Sequence, residues 1–232
     1  MSNETAGELL LFVKGPVIKG DRESKFGEDI FSHRFMFMIA KKEIPNAKVV
    51  PVDTVYKKDI LLKYGVEDQS LKLPLLVHAY TAAGDRMLVD DPPQIEAYLE
   101  EKFKPFLRSK DPKAYKVQLD IFQKFIFYLK AKGEPEKGKL KQLTDELRRI
   151  DQFLTDNERQ FLSGEEITIP DCQLLPKLFY IRIAGRYYKK FEIPDELSAL
   201  KRYIEAGDLD ESFQDSKCSE KEIIEGFKRY VQ

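Results

Sequence analysis

The apolar residues of this 232-residue chain change their spacing once, near Pro105, and that change constrains the fold more than any other feature. Before it, short apolar runs alternate with helical stripes. "ELLLFVK" (8–14), "AKVVPVD" (47–53), "LPLLVHAY" (73–80) and "RMLVD" (86–90) read as strands, the last two joined by a turn at Gly84–Asp85. Between and after them, Ile30, Phe31, Phe35, Met38 and Ile39 form one helical stripe, and "KKDILLKYG" (57–65) and "QIEAYLEEKF" (94–103) form two more. After Pro105 the strand signals almost stop. "YKVQLDIFQKFIFYLK" (115–130), "KLKQLTDELRRIDQFL" (139–154), "PDCQLLPKLFYIRIAGRYY" (170–188) and "PDELSALKRYIEA" (194–206) all place apolar residues at helical spacing, with Pro or Gly at their junctions.

The order βαβαββα in the first part is that of a thioredoxin-like domain. The sequence therefore predicts an α/β plus all-α protein: a thioredoxin-like domain over 1–103 and an all-helical domain over 104–232, joined by the linker "KPFLRSKDPK" (104–113). The lysine-rich "KAKGEPEKGKLK" (130–141) reads as a solvated loop.

Composition excludes several function classes. Thirty-nine Lys and Arg nearly balance forty Asp and Glu, so the chain offers no strong field to a polyanion, and no nucleic-acid partner is expected. Cys172 and Cys218 form no C-x-x-C pair, which argues against a disulfide framework and a cysteine zinc site and for a reducing, cytoplasmic home. His33 and His78 fall on different elements without the carboxylate spacing of a metal triad, so no metal is expected. The start "MSNETAGELLLF" lacks the basic and apolar regions of a secretory signal. The longest apolar run, "FMFMIA" (35–40), is far below the roughly 18 residues of a spanning helix.

In "FLSGEEITIPDCQLLPKL" (161–178), Thr168 and Asp171 have the spacing of a capping box. Their expected role is in folding, and such a cap is worth about 1 kcal/mol. Pro170 falls in the first turn, where its missing N–H is tolerated. Cys172 reads as a buried small hydrophobe.

A small thioredoxin-like domain followed by a helical one resembles the glutathione S-transferase architecture. Together with "DIFSHRFMF" (29–37) and "FEIPDELSALKRYI" (191–204), the segment 161–178 resembles the chloride intracellular channel family, metamorphic relatives of omega-class transferases, and here an invertebrate-type member. That resemblance implies a cytoplasmic protein with a membrane-associated fraction, oligomeric in the membrane; neither cysteine is placed to bridge subunits and the chain shows no heptad seam, so the soluble form is expected to be a monomer. Its implied partners are membrane lipids and cytoskeletal or scaffold proteins, and its implied function is the formation or modulation of anion channels. The segment proposed to insert corresponds to Ile30 through Val52, which carries His33, Arg34, Lys41, Lys42 and Glu43; charges near a bilayer centre cost about 2.5–3.5 kcal/mol each.

The resemblance also locates a degenerate glutathione site. Asp29 occupies the position of the redox cysteine at the start of the first helix, and Ser32 a second position where cysteine or serine is common. A carboxylate caps a helix well but forms no mixed disulfide. Leu73–Pro74 corresponds to the cis-proline loop, whose backbone pairs with the cysteinyl part of glutathione. Asp91 keeps the acid that holds the γ-glutamyl end, whereas Pro92 replaces a hydroxyl residue and offers neither N–H nor O–H. No cofactor is expected beyond weak glutathione binding. Two other readings are a glutathione-dependent thiol transferase or dehydroascorbate reductase, and a cytosolic protein-binding scaffold.

Overall fold

The structure, a computed structural model, describes residues 7–18, 25–79 and 85–231. The polar start of the chain (1–6) and the glycine of the expected Gly84–Asp85 turn lie outside the described residues. Two compact units are present: Met1–Phe106 with Asp215–Glu222, and Leu107–Gln214 with Ile223–Gln232.

The first unit is built on a four-stranded sheet. Its strands are β1 (Leu9–Lys14), β2 (Ala47–Val52), β3 (Leu75–Ala79) and β4 (Arg86–Val89), in the order β2-β1-β3-β4. β1 runs parallel to β2 and antiparallel to β3, and β4 is antiparallel to β3. The central β1 is buried on both faces, which is why it reads as a continuous apolar run rather than an alternation. Leu10, Phe12, Val50, Val52, Leu75 and Val77 pack with Leu61 of α2 (Lys57–Lys63) on one face. Pro51, which cannot donate to a ladder, sits on the edge strand β2. The unit also contains α1 (Ile30–Lys41) and α3 (Pro92–Lys102). The thioredoxin-like topology expected from the sequence is present.

Residues 30–52 are α1, a short turn and β2. α1 is only 12 residues long and buries Phe35, Met36, Phe37 and Met38. Just after it, Lys42 is buried, its ammonium 2.5 Å from Glu100 and bonded to the carbonyls of Phe103 (3.0 Å) and Pro105 (2.7 Å). Among the described residues no helix is long and apolar enough to cross a membrane.

The second unit is helical: α4 (Pro112–Lys116), α5 (Ile121–Lys130), α6 (Glu134–Asn157), α7 (Ile169–Lys189), α8 (Ser198–Leu209) and α9 (Glu211–Ser216), whose last two residues belong to the first unit. α10 (Glu220–Phe227) likewise contributes to both, and a 3-10 turn (Lys228–Tyr230) ends the description. α7 is the axis of the unit, with Leu174, Leu175, Leu178, Ile181 and Ala184 buried. Gly207 lets α8 approach α7 closely, since a Cβ there would lie 2.4 Å from Leu175 Cδ2.

Two expectations are corrected here. The single helix read over 115–130 is two helices, because Gln118 is turned inward between them: its carbonyl accepts from Lys177 Nζ on α7 (3.2 Å) and its amide donates to Gln173 (2.5 Å). The lysine-rich stretch is not a loop beyond Gly133. Pro135 in the first turn, with Glu134 and Glu136 beside the positive helix end, starts α6, and the lysines form its solvated face, as in Lys141–Asp145 at 3.0 Å.

Candidate functional site

Strand register carries the site residues of the first unit to one end of the sheet. Phe12 near the end of β1 lies opposite Leu75 at the start of β3, and Leu76 lies opposite Val89 at the end of β4. Leu73–Pro74, which precedes β3, and Asp91, which follows β4, therefore share the end at which β1 stops. The Leu73–Pro74 bond is cis. The segment leading into α1 is held at that end too: Gly27 N–H donates to the carbonyl of Lys14 (2.9 Å), and Lys14 Nζ pairs with the buried Glu28 carboxylate (2.7 Å). Gly27 is required there, because a Cβ would lie 2.2 Å from the carbonyl oxygen of Gly15.

Asp29 is the N-cap of α1. Its Oδ2 accepts from the backbone N–H of Ser32 (2.7 Å) and from the Ser32 hydroxyl (2.5 Å), so Asp29 and Ser32 act as one hydrogen-bonded pair at the helix start. Ser32 is buried. Asp91 is the N-cap of α3, accepting from Gln94 N–H (3.1 Å), and Pro92 and Pro93 fill the first turn. The arrangement presents two carboxylates, two helix starts and the backbone beside a cis-proline. It supplies no thiol: Cys172 and Cys218 are both buried and not joined in a disulfide.

Both histidines are buried, His33 on α1 and His78 toward the other end of the sheet, opposite Leu9 at the start of β1. Burial, and secondarily the charge of Lys217, hold the His33 imidazole on α1 down to about 3, so it is neutral at ordinary pH. His78 on β3 is 2.7 Å from the Tyr98 hydroxyl through Nδ1, and burial lowers its pKa also. Among the described residues no group of His, Cys, Asp and Glu is arranged to hold a metal ion.

Sequence reasoning missed Glu222, and with it the part the chain's last residues have in this unit. Its carboxylate is fully buried and accepts from the backbone N–H groups of Val17 and Ile18, at 2.8 Å each, in the turn after β1. The signal that could have pointed to it is Ser219-x-x-Glu222, the spacing of a helix start, where Ser219 Oγ accepts from Glu222 N–H (3.3 Å).

In the second unit, Thr168 and Asp171 form the capping box of α7. The structure adds two donors to it. Besides the Thr168 N–H (2.9 Å) and hydroxyl (2.7 Å), the wholly buried Asp171 carboxylate accepts from Leu162 N–H (2.9 Å) and the Tyr203 hydroxyl (3.1 Å). Burial raises its pKa above the ordinary carboxylate value, and these donors oppose the rise. The basic end of α7 is likewise tied inward, with Lys189 paired to Glu136 (3.0 Å).

Comparison with known proteins corrects the family read from the sequence. A glutathione S-transferase C-terminal domain model matches residues 137–206. The probable glutathione S-transferase DHAR2, chloroplastic, of Oryza sativa subsp. japonica is 30% identical over 207 residues, covering 89% of this chain and 72% of its own. Glutathione S-transferase DHAR2 of Arabidopsis thaliana is 29% identical, covering 88% and 91%. Among solved structures, Chlamydomonas reinhardtii dehydroascorbate reductase matches with a TM-score of 0.80 at 25% identity, over 97% of this chain and 99% of that one. The chloride intracellular channel homologue EXC-4 of C. elegans matches with a TM-score of 0.81 at 24% identity, over 96% and 86%, which is a likeness of fold alone. These relatives overturn the assignment to the chloride intracellular channel family, and with it the ion-transport and anion-channel function inferred from that assignment. By its identity to the rice enzyme over most of both chains, this protein belongs to the glutathione S-transferase family.

Proposed function

We propose that the protein is a glutathione-dependent reductase of the dehydroascorbate reductase type, in which glutathione itself supplies both thiols. The observation that carries the reading is the convergence of Asp29, Leu73–Pro74 and Asp91 on one end of the sheet, in a chain whose relatives are named as such transferases. The Leu73 backbone would pair with the cysteinyl part of the tripeptide and Asp91 with its γ-glutamyl amine. Pro92 withholds a hydroxyl and an N–H from that end, which at about 1–3 kcal/mol for lost polar contacts weakens binding by roughly one to two decades.

The electron balance closes without a protein cysteine. One glutathione sulfur adds to a carbonyl carbon of dehydroascorbate, and a second attacks that sulfur. The C–S bond breaks toward carbon, leaving ascorbate and glutathione disulfide, and the two thiol protons end on the enediol. The Asp29–Ser32 pair lies where the first sulfur would sit, and its negative charge disfavours a thiolate, so turnover is slow.

The test is ascorbate formation by pure protein with glutathione and dehydroascorbate. The expected result is a rate above that of glutathione alone, unchanged in Cys172→Ser/Cys218→Ser and raised by Asp29→Cys, which places a thiol of lowered pKa at the helix start. Adding Pro92→Thr should lower the half-saturating glutathione concentration. A wild-type rate no greater than that of glutathione alone would overturn the reading. Conversely, activity lost with the two cysteines would show that the thiol comes from the protein.

A further inference from the structure

The turn after β1 has a bonding problem that local sequence does not solve. Gly15 N–H extends the β1–β2 ladder by donating to the Val52 carbonyl (2.8 Å), and Pro16 has no N–H. The next two donors are the backbone N–H groups of Val17 and Ile18. One carboxylate more than 200 residues later in the chain takes both: Val17 N–H donates to Glu222 Oε2 and Ile18 N–H to Glu222 Oε1, each at 2.8 Å. Glu222 is 0% exposed, so the charge has been taken out of water for these contacts. Charge-assisted bonds of this kind are stronger than neutral ones, and a buried carboxylate that loses them is left costly.

The segment Asp215–Glu222 clusters with the first unit and meets the turn that leaves β1 through Glu222; the charge of Lys217, in the same segment, acts on the buried His33 of α1. Gly27 N–H on the Lys14 carbonyl and the Lys14–Glu28 pair hold the residues before Asp29 to the same turn, where Gly27 lies directly against the Gly15 carbonyl. The turn is therefore held by Glu222 at Val17 and Ile18, and it in turn holds Gly27 and Glu28.

We infer that Glu222 is a positioning residue for the candidate site: by clamping the two amides of Val17 and Ile18 it fixes the turn after β1, against whose Lys14–Gly15 backbone Gly27 is packed, and so the placing of the Asp29–Ser32 pair at the start of α1. It touches no reacting atom. The consequence for glutathione rests on the function proposed above, whereas the clamp itself does not.

Both parts are tested on the full chain with Glu222→Gln, which keeps one acceptor oxygen and the shape, and Glu222→Ala. Ser219→Ala serves as control, because it weakens the start of α10 without removing the carboxylate. Amide hydrogen exchange is read by NMR at Val17, Ile18 and Ser32, and glutathione binding by calorimetry. Exchange at Val17 and Ile18 is expected to accelerate about tenfold or more in both Glu222 variants, with a smaller acceleration at Ser32, and not in Ser219→Ala. Glutathione affinity is expected to fall about tenfold in the Glu222 variants. In the ascorbate assay, the half-saturating glutathione concentration should rise while kcat changes little. Unchanged exchange at Val17 and Ile18 overturns the clamp, and accelerated exchange there with Ser32 unchanged overturns positioning. If the wild type binds no glutathione, the proposed function fails, and the Ser32 exchange still decides this inference.

Discussion

Replacing Asp171 by alanine separates a helix cap from a buried hub. A cap alone is worth about 1 kcal/mol. In the structure the carboxylate accepts from Leu162 N–H, Thr168 N–H, the Thr168 hydroxyl and the Tyr203 hydroxyl. The Thr168 hydroxyl has Ser163 Oγ within 3.1 Å as an alternative, so the substitution strands the other three. Leu162 and Tyr203 are almost wholly buried. A stranded buried donor costs about 1–3 kcal/mol, and the vacated space admits a water that lowers each cost toward the bottom of that range. Three donors then give about 3–4 kcal/mol, a loss of about 6–15 °C in Tm for a chain of this length. Asp171→Asn keeps one acceptor oxygen and should cost about half as much. Urea unfolding followed by circular dichroism measures both. A loss of only about 1 kcal/mol for alanine would refute the hub and leave only the cap.

His33 sets a pH dependence. Its pKa is about 3 when folded and about 6.5 when unfolded, so the unfolded chain binds more protons between those values, and stability present above pH 6.5 is lost as pH falls. Between pH 7 and 5 the loss is about 2 kcal/mol, and His33→Asn should flatten that part of a stability-against-pH profile measured in urea. Lys42→Met should cost about 3–5 kcal/mol by leaving Glu100 buried without its ammonium, and Lys42→Met/Glu100→Leu should recover most of it in the same measurement. Gly27→Ala forces a Cβ into the Gly15 carbonyl and should cost roughly 1–3 kcal/mol, read as a lowered thermal midpoint.

Local features were legible in the sequence, and features made by distant residues were not. The strands, most of the helices and the Thr168–Asp171 box follow from periodicity and from pairs three residues apart. The break between α4 and α5 depends on Lys177, 59 residues beyond the Gln118 carbonyl it binds, and no spacing near 118 announces it. The start of α6 was open to reading, but its lysines outweighed Pro135 and the i,i+4 pairs that make the segment helical. Asp29, Leu73–Pro74 and Asp91 were found through resemblance of fold, and strand register accounts for their meeting. The family was misread for a related reason. Thr168 and Asp171 close a helix against Leu162 and Tyr203, a task set by folding rather than by chemistry, so such a motif marks the architecture and not the activity.

The place of Glu222 sets an order on synthesis. The sheet of the first unit is complete in the first 89 residues, yet the amides of Val17 and Ile18 receive their carboxylate only when residue 222 has been made. Contacts this distant in sequence form late and close slowly. The unit begun first is thus finished last, and a nascent chain carries an unclosed turn beside its first strand through nearly all of its translation. A premature stop just before Glu222 would therefore be felt at both ends of the sequence: Phe125 and Tyr180 lose the buried Phe227, and the turn after the first strand, more than 200 residues away, loses its acceptor.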